Sequence, residues 1–184
     1  RVPIGDHGLV GDTRSAALVA PDGSIDWWCV PRFDDPPLFG RLVAGPDGGH
    51  FRIGPAEPVR SVHRRYRPGP ATLVTTWRLD GAELELTDSL VGDVAGRLLP
   101  GTLLVRRLVC RGRPVHVVVQ LSPRFGYRRH AAARAARRSG ALVVEHGDLA
   151  VAVTADGVTV VPDRPVETTI TPGPQLTVAL AATR

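Results

Sequence analysis

The sequence predicts an all-β protein: a large antiparallel β-sandwich of about ten or more short strands with little helix. Three observations lead there. Short apolar runs recur at intervals of roughly 8–12 residues, several of them alternating with polar residues, as half-buried strands do. Turn signals separate the runs, and 20 Gly and 17 Pro supply them amply. Only one stretch, "HAAARAARR" at 130–138, has helix-forming composition, and nine residues of it are too few to hold a helix without packing. Helix and solvated extended connection remain equal alternatives there.

The elements are taken in chain order. "SAALVA" and "IDWWCV" flank the turn "PDGS" and predict a hairpin. Regular alternation in its second arm would put Ile25, Trp27 and Cys29 on one face and Asp26, Trp28 and Val30 on the other. Pro31 should end the pairing. "PPLFGRLV" (36–43) offers a single helical turn starting at its prolines. "GPDGG" (45–49) then turns the chain into "HFRIG". "ATLVTTWRLD" meets "AELELTD" through Asp80-Gly81, with Leu84 and Leu86 facing inward and Glu83 and Glu85 facing water. "GTLLVRRLVC" and "VHVVVQL" flank "RGRP", and "ALVVEH", "LAVAVT", "VTVVP", "VETTIT" and "QLTVALA" complete the series.

A chain of 184 residues suits one domain with its own core. Its hydrophobic share of 43% belongs to a globular chain, not a disordered one. No apolar run nears the ~18 residues that span a bilayer, and no signal-peptide pattern opens the chain, so a cytoplasmic location is expected with no membrane partner. The chain starts at Arg1 and has no Met, as an excised piece would. All 23 basic residues are arginine and the net charge is +5. They are spread along the chain without a recognition-helix or RNA-binding pattern, so nucleic acid is not an expected partner. Cys29 and Cys110 each end an apolar run, as buried free thiols do. The six histidines are scattered and no Cys/His spacing fits zinc, so neither a metal nor a cofactor is expected.

Catalytic patterns are sparse. There is no nucleophile elbow and no phosphate-binding loop. Asp34 and Asp35 are sequence neighbours that point apart on an extended chain, a poor acid–base pair. The five glutamates (Glu57, Glu83, Glu85, Glu145, Glu167) lie beside turns or on alternating strand positions, where solvation explains them. Trp27, Trp28 and Trp77 could stack on sugar rings. Core packing accounts for Trp77. Of the adjacent Trp27 and Trp28, one can enter the core, and the other must lie on a face that something else covers. Arg32, Phe33 and Asp34 come next in a loop stiffened by Pro31, Pro36 and Pro37, either as a loop salt bridge or as an interface.

"IGDHGLVGD" (4–12), "TRSAALV" (13–19), "DGSIDWWCVPRFD" (22–34) and Phe39 together closely resemble the opening of glycoside hydrolase family 15 proteins, the bacterial and archaeal glucoamylase-like and trehalase enzymes. Tyr66, Pro68, Thr76-Trp77 and Asp88 are similar to later elements of that family. The resemblance covers residue 4 to about 160. It implies that residues 1–184 form a single N-terminal β-sandwich domain, with room for a terminal strand or two beyond the chain. It also implies that the family's (α/α)6 barrel, which carries two catalytic glutamates, is absent. No catalytic residue can therefore be carried over.

The resemblance thus implies a non-catalytic domain of a glycoside hydrolase acting on α-glucosidic bonds, with the barrel as its partner. The chain alone should be inactive, and an α-glucoside or trehalose could meet it at the domain boundary. Asp26, Trp27, Trp28, Arg32 and Asp34 are the candidates for docking to the barrel or bordering its sugar pocket. Without a barrel, this face should drive self-association. Two alternatives stand beside this: a standalone carbohydrate-binding module using Trp27 or Trp28, and a basic nucleic-acid-binding β-barrel.

Overall fold

A computed structural model describes residues 2–69, 71–127 and 134–184. Among these described residues, fifteen strands run in order: β1 (Gly8–Gly11), β2 (Ala16–Val19), β3 (Ser24–Cys29), β4 (Pro37–Phe39), β5 (His50–Pro55), β6 (Ser61–Tyr66), β7 (Leu73–Leu79), β8 (Ala82–Val94), β9 (Arg97–Gly112), β10 (Val115–Ser122), β11 (Arg134–Arg138), β12 (Ala141–His146), β13 (Leu149–Ala155), β14 (Pro165–Ile170) and β15 (Gln175–Thr183). One sheet has the order β1-β2-β3-β5-β10-β14, with β4 on β3; the other runs β11-β12-β13-β15-β9-β8-β7-β6. Every ladder between these strands is antiparallel. The all-β sandwich expected from the sequence is what the chain forms.

The chain changes sheets repeatedly, after β5, β9, β10, β13 and β14. Each sheet thus joins strands distant in sequence, and an apolar cluster of the described residues fills the space between them. Ile25, Trp28, Phe39 and Phe51 enter it from the first sheet, and Trp77, Leu84, Leu86, Leu104 and Leu180 from the second. Trp77 also donates its indole N–H to the Pro21 carbonyl at 2.9 Å. Leu84 and Leu86 are buried while Glu83 and Glu85 keep partial exposure on the other face of β8. No helix among the described residues is long and apolar enough to cross a membrane.

One ion pair is sealed inside the sandwich. Arg106 on β9 and Asp88 on β8 are paired across the ladder and both are fully buried. The Arg106 Nε donates to Asp88 Oδ1 at 2.7 Å, and Nη2 donates to Oδ2 at 3.3 Å. The guanidinium also crosses to the other sheet, donating to the carbonyls of Phe51 (2.8 Å) and Gly23 (2.7 Å), and lies over the Phe51 ring. A buried charge costs heavily unless it is paired and hydrogen-bonded, and here both conditions hold. Gly23 itself has φ of +80°, and a Cβ there would sit 2.0 Å from the Ile53 carbonyl oxygen. Only glycine fits this turn.

Two local expectations need correction, and a third segment left open between helix and extended chain is decided over its described part. In "IDWWCV" the regular alternation fails, because Val19 pairs with Ile25 and Leu18 pairs with Trp27, leaving Asp26 as an extra residue. Such a bulge shifts the facing pattern by one, so Ile25 and Trp28 both enter the core. The 36–43 segment has no helical turn at its prolines. Pro37 and Leu38 belong to β4, and the short helix α1 (Arg41–Ala44) starts only after Gly40. Of "HAAARAARR", residues 130–133 lie outside the described residues, and Arg134–Arg138 is an exposed strand, held by pairing with β12.

Candidate functional site

The β3 bulge turns Asp26 away from the core and into a second polar cluster. His7 comes directly after the 3-10 turn Ile4–Asp6, and its ring bridges two groups: Nδ1 is 3.0 Å from the Pro3 carbonyl and Nε2 is 3.2 Å from Asp26 Oδ2. Arg41, at the start of α1, places Nη2 2.6 Å from Asp26 Oδ1. His50 opens β5 and is also buried. Desolvation first, and the nearby Arg41 cation second, push its pKa below the usual histidine range, while a hydrogen bond with the Gln120 side chain works in the opposite direction. Its Nδ1 is buried without a hydrogen-bond partner.

Asp26, Arg41 and His50 share a cavity of about 710 Å³. Val2, Pro3, Pro21, Leu42 and Pro46 give it apolar walls, with Asp6 on its lining as well. The N-terminal segment, the α1 turn, β3 and β5 therefore all contribute to its lining. The arrangement offers a carboxylate, a guanidinium and an imidazole whose charged form burial disfavours, on the lining of one cavity.

A separate, shallower groove of about 460 Å³ lies beyond the end of β3. Trp27, Phe33, Asp34, Asp35, Pro36, Pro37 and Tyr127 line it. The half-buried Trp27 donates its indole N–H to the Tyr127 hydroxyl at 3.3 Å. Phe33 is 60% exposed. Arg32 and Asp34 form an exposed ion pair at 3.0 Å, in which the arginine holds the Asp34 carboxyl below the usual range. Asp35 turns elsewhere: it accepts the Arg32 backbone N–H and pairs with Arg184.

The five residues singled out from sequence are thus divided. Trp27 and Asp34 line the groove, with Arg32 bound to Asp34. Asp26 lines the cavity. Trp28 reaches neither surface. It is fully buried, donates its indole N–H to Ser15 Oγ at 3.0 Å and packs its ring 6.0 Å from that of Phe39. As a direct contact residue it is corrected to a core residue, because the bulge reverses its side. His7, Arg41, His50 and Tyr127 were missed. His7 does stand inside "IGDHGLVGD", the block that carries the family resemblance; nothing in the spacing of the other three announces their meeting.

No group of three or more His, Cys, Asp or Glu among the described residues could hold a metal ion. No glutamate lines the cavity or the groove. By fold and site, then, this is a β-sandwich domain with a polar-floored surface cavity. The chain belongs to the family described as trehalase-like, N-terminal, which matches residues 1–171. It is 34% identical over 144 residues to a trehalase of Mycolicibacterium smegmatis, a match covering 71% of this chain and 21% of that protein. It is 32% identical to a trehalase of Mycobacterium tuberculosis, over 69% of this chain and 21% of the relative. A Thermoplasma volcanium trehalase is 32% identical over 66% of the chain and 20% of its own length. The chain matches about a fifth of the length of these curated relatives.

Proposed function

We propose that the chain is the non-catalytic N-terminal domain of a cytoplasmic glycoside hydrolase acting on α-glucosidic bonds, in trehalose or in maltose and longer α-glucans. In this role it packs against and orients an (α/α)6 catalytic domain. The observation that carries the reading is family membership joined to coverage: relatives named trehalases match this chain over only about a fifth of their length. The glutamates support the non-catalytic part. Inverting hydrolysis needs an acid and a base roughly 6.5–9.5 Å apart across the scissile bond. Here Glu57 is held by Arg113, Glu83 by Arg78 and Arg111, Glu85 by Arg65, Arg67 and Arg111, and Glu145 by Arg138. Glu167 is exposed on β14. The two unpaired cysteines are consistent with a reducing compartment.

In this reading the loop after β3 is the docking face. Trp27, Arg32 and Asp34 meet the barrel directly, Asp26 acts from the neighbouring cavity, and Trp28 supports the loop from within. The test is release of glucose from trehalose and from maltose by the purified chain, before and after adding a separately expressed catalytic domain of the family. Activity only on mixing supports the reading, and its loss in W27A or D34R places docking at this loop. Turnover by the chain alone overturns it.

A second reading, a carbohydrate-binding module, draws on the exposed aromatic groove of Trp27, Phe33 and Tyr127. Aromatic faces suit the apolar face of a pyranose. Sugar-dependent quenching of tryptophan fluorescence that disappears in W27A would favour it over docking.

A further inference from the structure

The outer face of the eight-stranded sheet is divided. Toward β6 it is a lattice of ion pairs, in which Glu83 and Glu85 are held by Arg65, Arg67, Arg78 and Arg111. That half follows the rule for a sheet with a core on one side and water on the other. The half from β9 to β11 does not. The core-facing positions of β9, β12, β13 and β15 are apolar, Leu104, Val144, Val151 and Leu180 among them. The alternate positions, which face away from the core, are largely apolar too.

Strand register lines these outward positions up. Ala136, Val143, Ala152, Ala181, Leu103 and Val91 pair in turn across β11, β12, β13, β15, β9 and β8, and so form one row across the strands. All six are at least partly exposed. Thr154, Ala179, Val105 and Ser89 form the next row. On the other side, Arg134, Glu145, Ala150 and Thr183 supply a more polar rim. A contiguous apolar face of this kind marks an interaction surface.

The face suits a second copy of itself. Alanines hold its middle, and a flat sheet face is matched by another, with the two sheets about 10 Å apart. From β13 to β8 the two apolar rows carry no charged residue, in a chain of net charge +5, so two copies meet here without like-charge repulsion. Six strands about 4.8 Å apart and three rows about 7 Å apart give a footprint of roughly 25 by 20 Å. Two such faces bury on the order of 1,000–1,400 Å² in total, at the lower end of specific interfaces.

We propose that this outer face is a homodimer interface, in which two copies stack face to face about a two-fold axis that runs along the strands between β13 and β15. That operation lays β12 over the partner's β9 and β13 over the partner's β15. Val143 then meets Leu103 of the partner subunit, and Ala152 meets Ala181 of the partner subunit, with small side chains beside the axis and larger ones flanking them. The interface uses neither the loop after β3 nor the cavity beside α1, and it does not depend on docking to a catalytic domain.

The test is sedimentation equilibrium of the 184-residue chain, from about 1 to 300 µM. The expected result is a monomer–dimer equilibrium with a Kd on the order of 10 µM. V143R and L103E each press an unpaired charge into the contact and should each weaken dimerisation about tenfold or more. Mixed in equal amounts, the two variants should recover a dimer, because the introduced arginine then faces the introduced glutamate. W27A should dimerise as the wild type does. On the unmodified chain, methyl resonances of Val143, Leu103 and Val105 should shift on dilution while those of Leu9 and Val62 stay still. That comparison decides the matter even where a variant fails to fold. A wild type that stays monomeric throughout overturns the proposal. So does a dimer that well-folded V143R and L103E leave intact, well-folded variants that do not recover a dimer on mixing, a dimer lost in W27A, or dilution shifts centred away from the outer face.

Discussion

Asp88 and Asp26 are both buried carboxylates held by an arginine, yet they do opposite work. Asp88 is enclosed between the sheets, and Arg106 spends its remaining donors on carbonyls of the facing sheet. That cluster is closed: its polar atoms are consumed by the fold. Asp26 sits on a bulge, its arginine stays partly exposed, and the adjacent His50 keeps an unpartnered nitrogen beside a cavity. That cluster is open. A satisfied buried pair stiffens a core and specifies how its layers meet, whereas a buried polar atom left without a partner weakens the structure around it.

The contrast can be broken most sharply at the closed cluster. R106M strands the Asp88 charge and should cost about 3–5 kcal/mol of stability, read as a fall in the urea midpoint. A loss below about 1 kcal/mol would mean that water reaches the pair and that it is not sealed. The adjacent tryptophans give a parallel comparison. W28A should cost about 3–5 kcal/mol by opening a cavity beside Phe39, whereas W27A should stay within about 1 kcal/mol. Equal losses would show that the bulge does not separate their faces.

The open cluster should yield less. D26N removes one charge from a pair that still borders the cavity, and an expected loss of about 1–3 kcal/mol would place it below R106M in the same denaturation series. His50 adds a pH dependence. Its folded pKa lies below the unfolded value of about 6.5, so the unfolded chain binds the extra proton first. The associated stability is present above that value and is lost as pH falls toward and through the folded pKa. Wild type should therefore weaken relative to H50Q on acidification from pH ~7, and parallel curves would contradict the assignment. The smallest effect concerns Cys29. Burial, with Asp35 assisting, pushes its thiol up to about 11. At pH ~8 it should label far more slowly in the native chain than after unfolding, and equal rates would show that the end of β3 is open.

Much of the fold was legible because strand periodicity and turn chemistry are local. The hairpin around Pro21 to Gly23, the one-sided pattern of Leu84 and Leu86, and the core position of Trp77 are all set by neighbours in sequence. The site was legible only in part. Asp26 stood out through its motif, but the alternation that should have assigned its face missed the bulge, and so reversed Trp28. His7 and His50 looked like two of six scattered histidines, because only the fold brings them near Asp26: His7 bonds it from the N-terminal turn, and His50 lines the same cavity from the start of β5.

By itself, then, the sequence determined the class of fold, the succession of strands and turns, and the family. These depend on alternation, turn residues and ordered motifs, which operate within a few residues of one another. Only the tertiary structure decided which tryptophan lies inside, which carboxylate is sealed and which faces a cavity. Those outcomes depend on strand register, and register is a property of two paired strands: one extra residue at Asp26, set by its partner β2, exchanges the faces of the residues after it in β3.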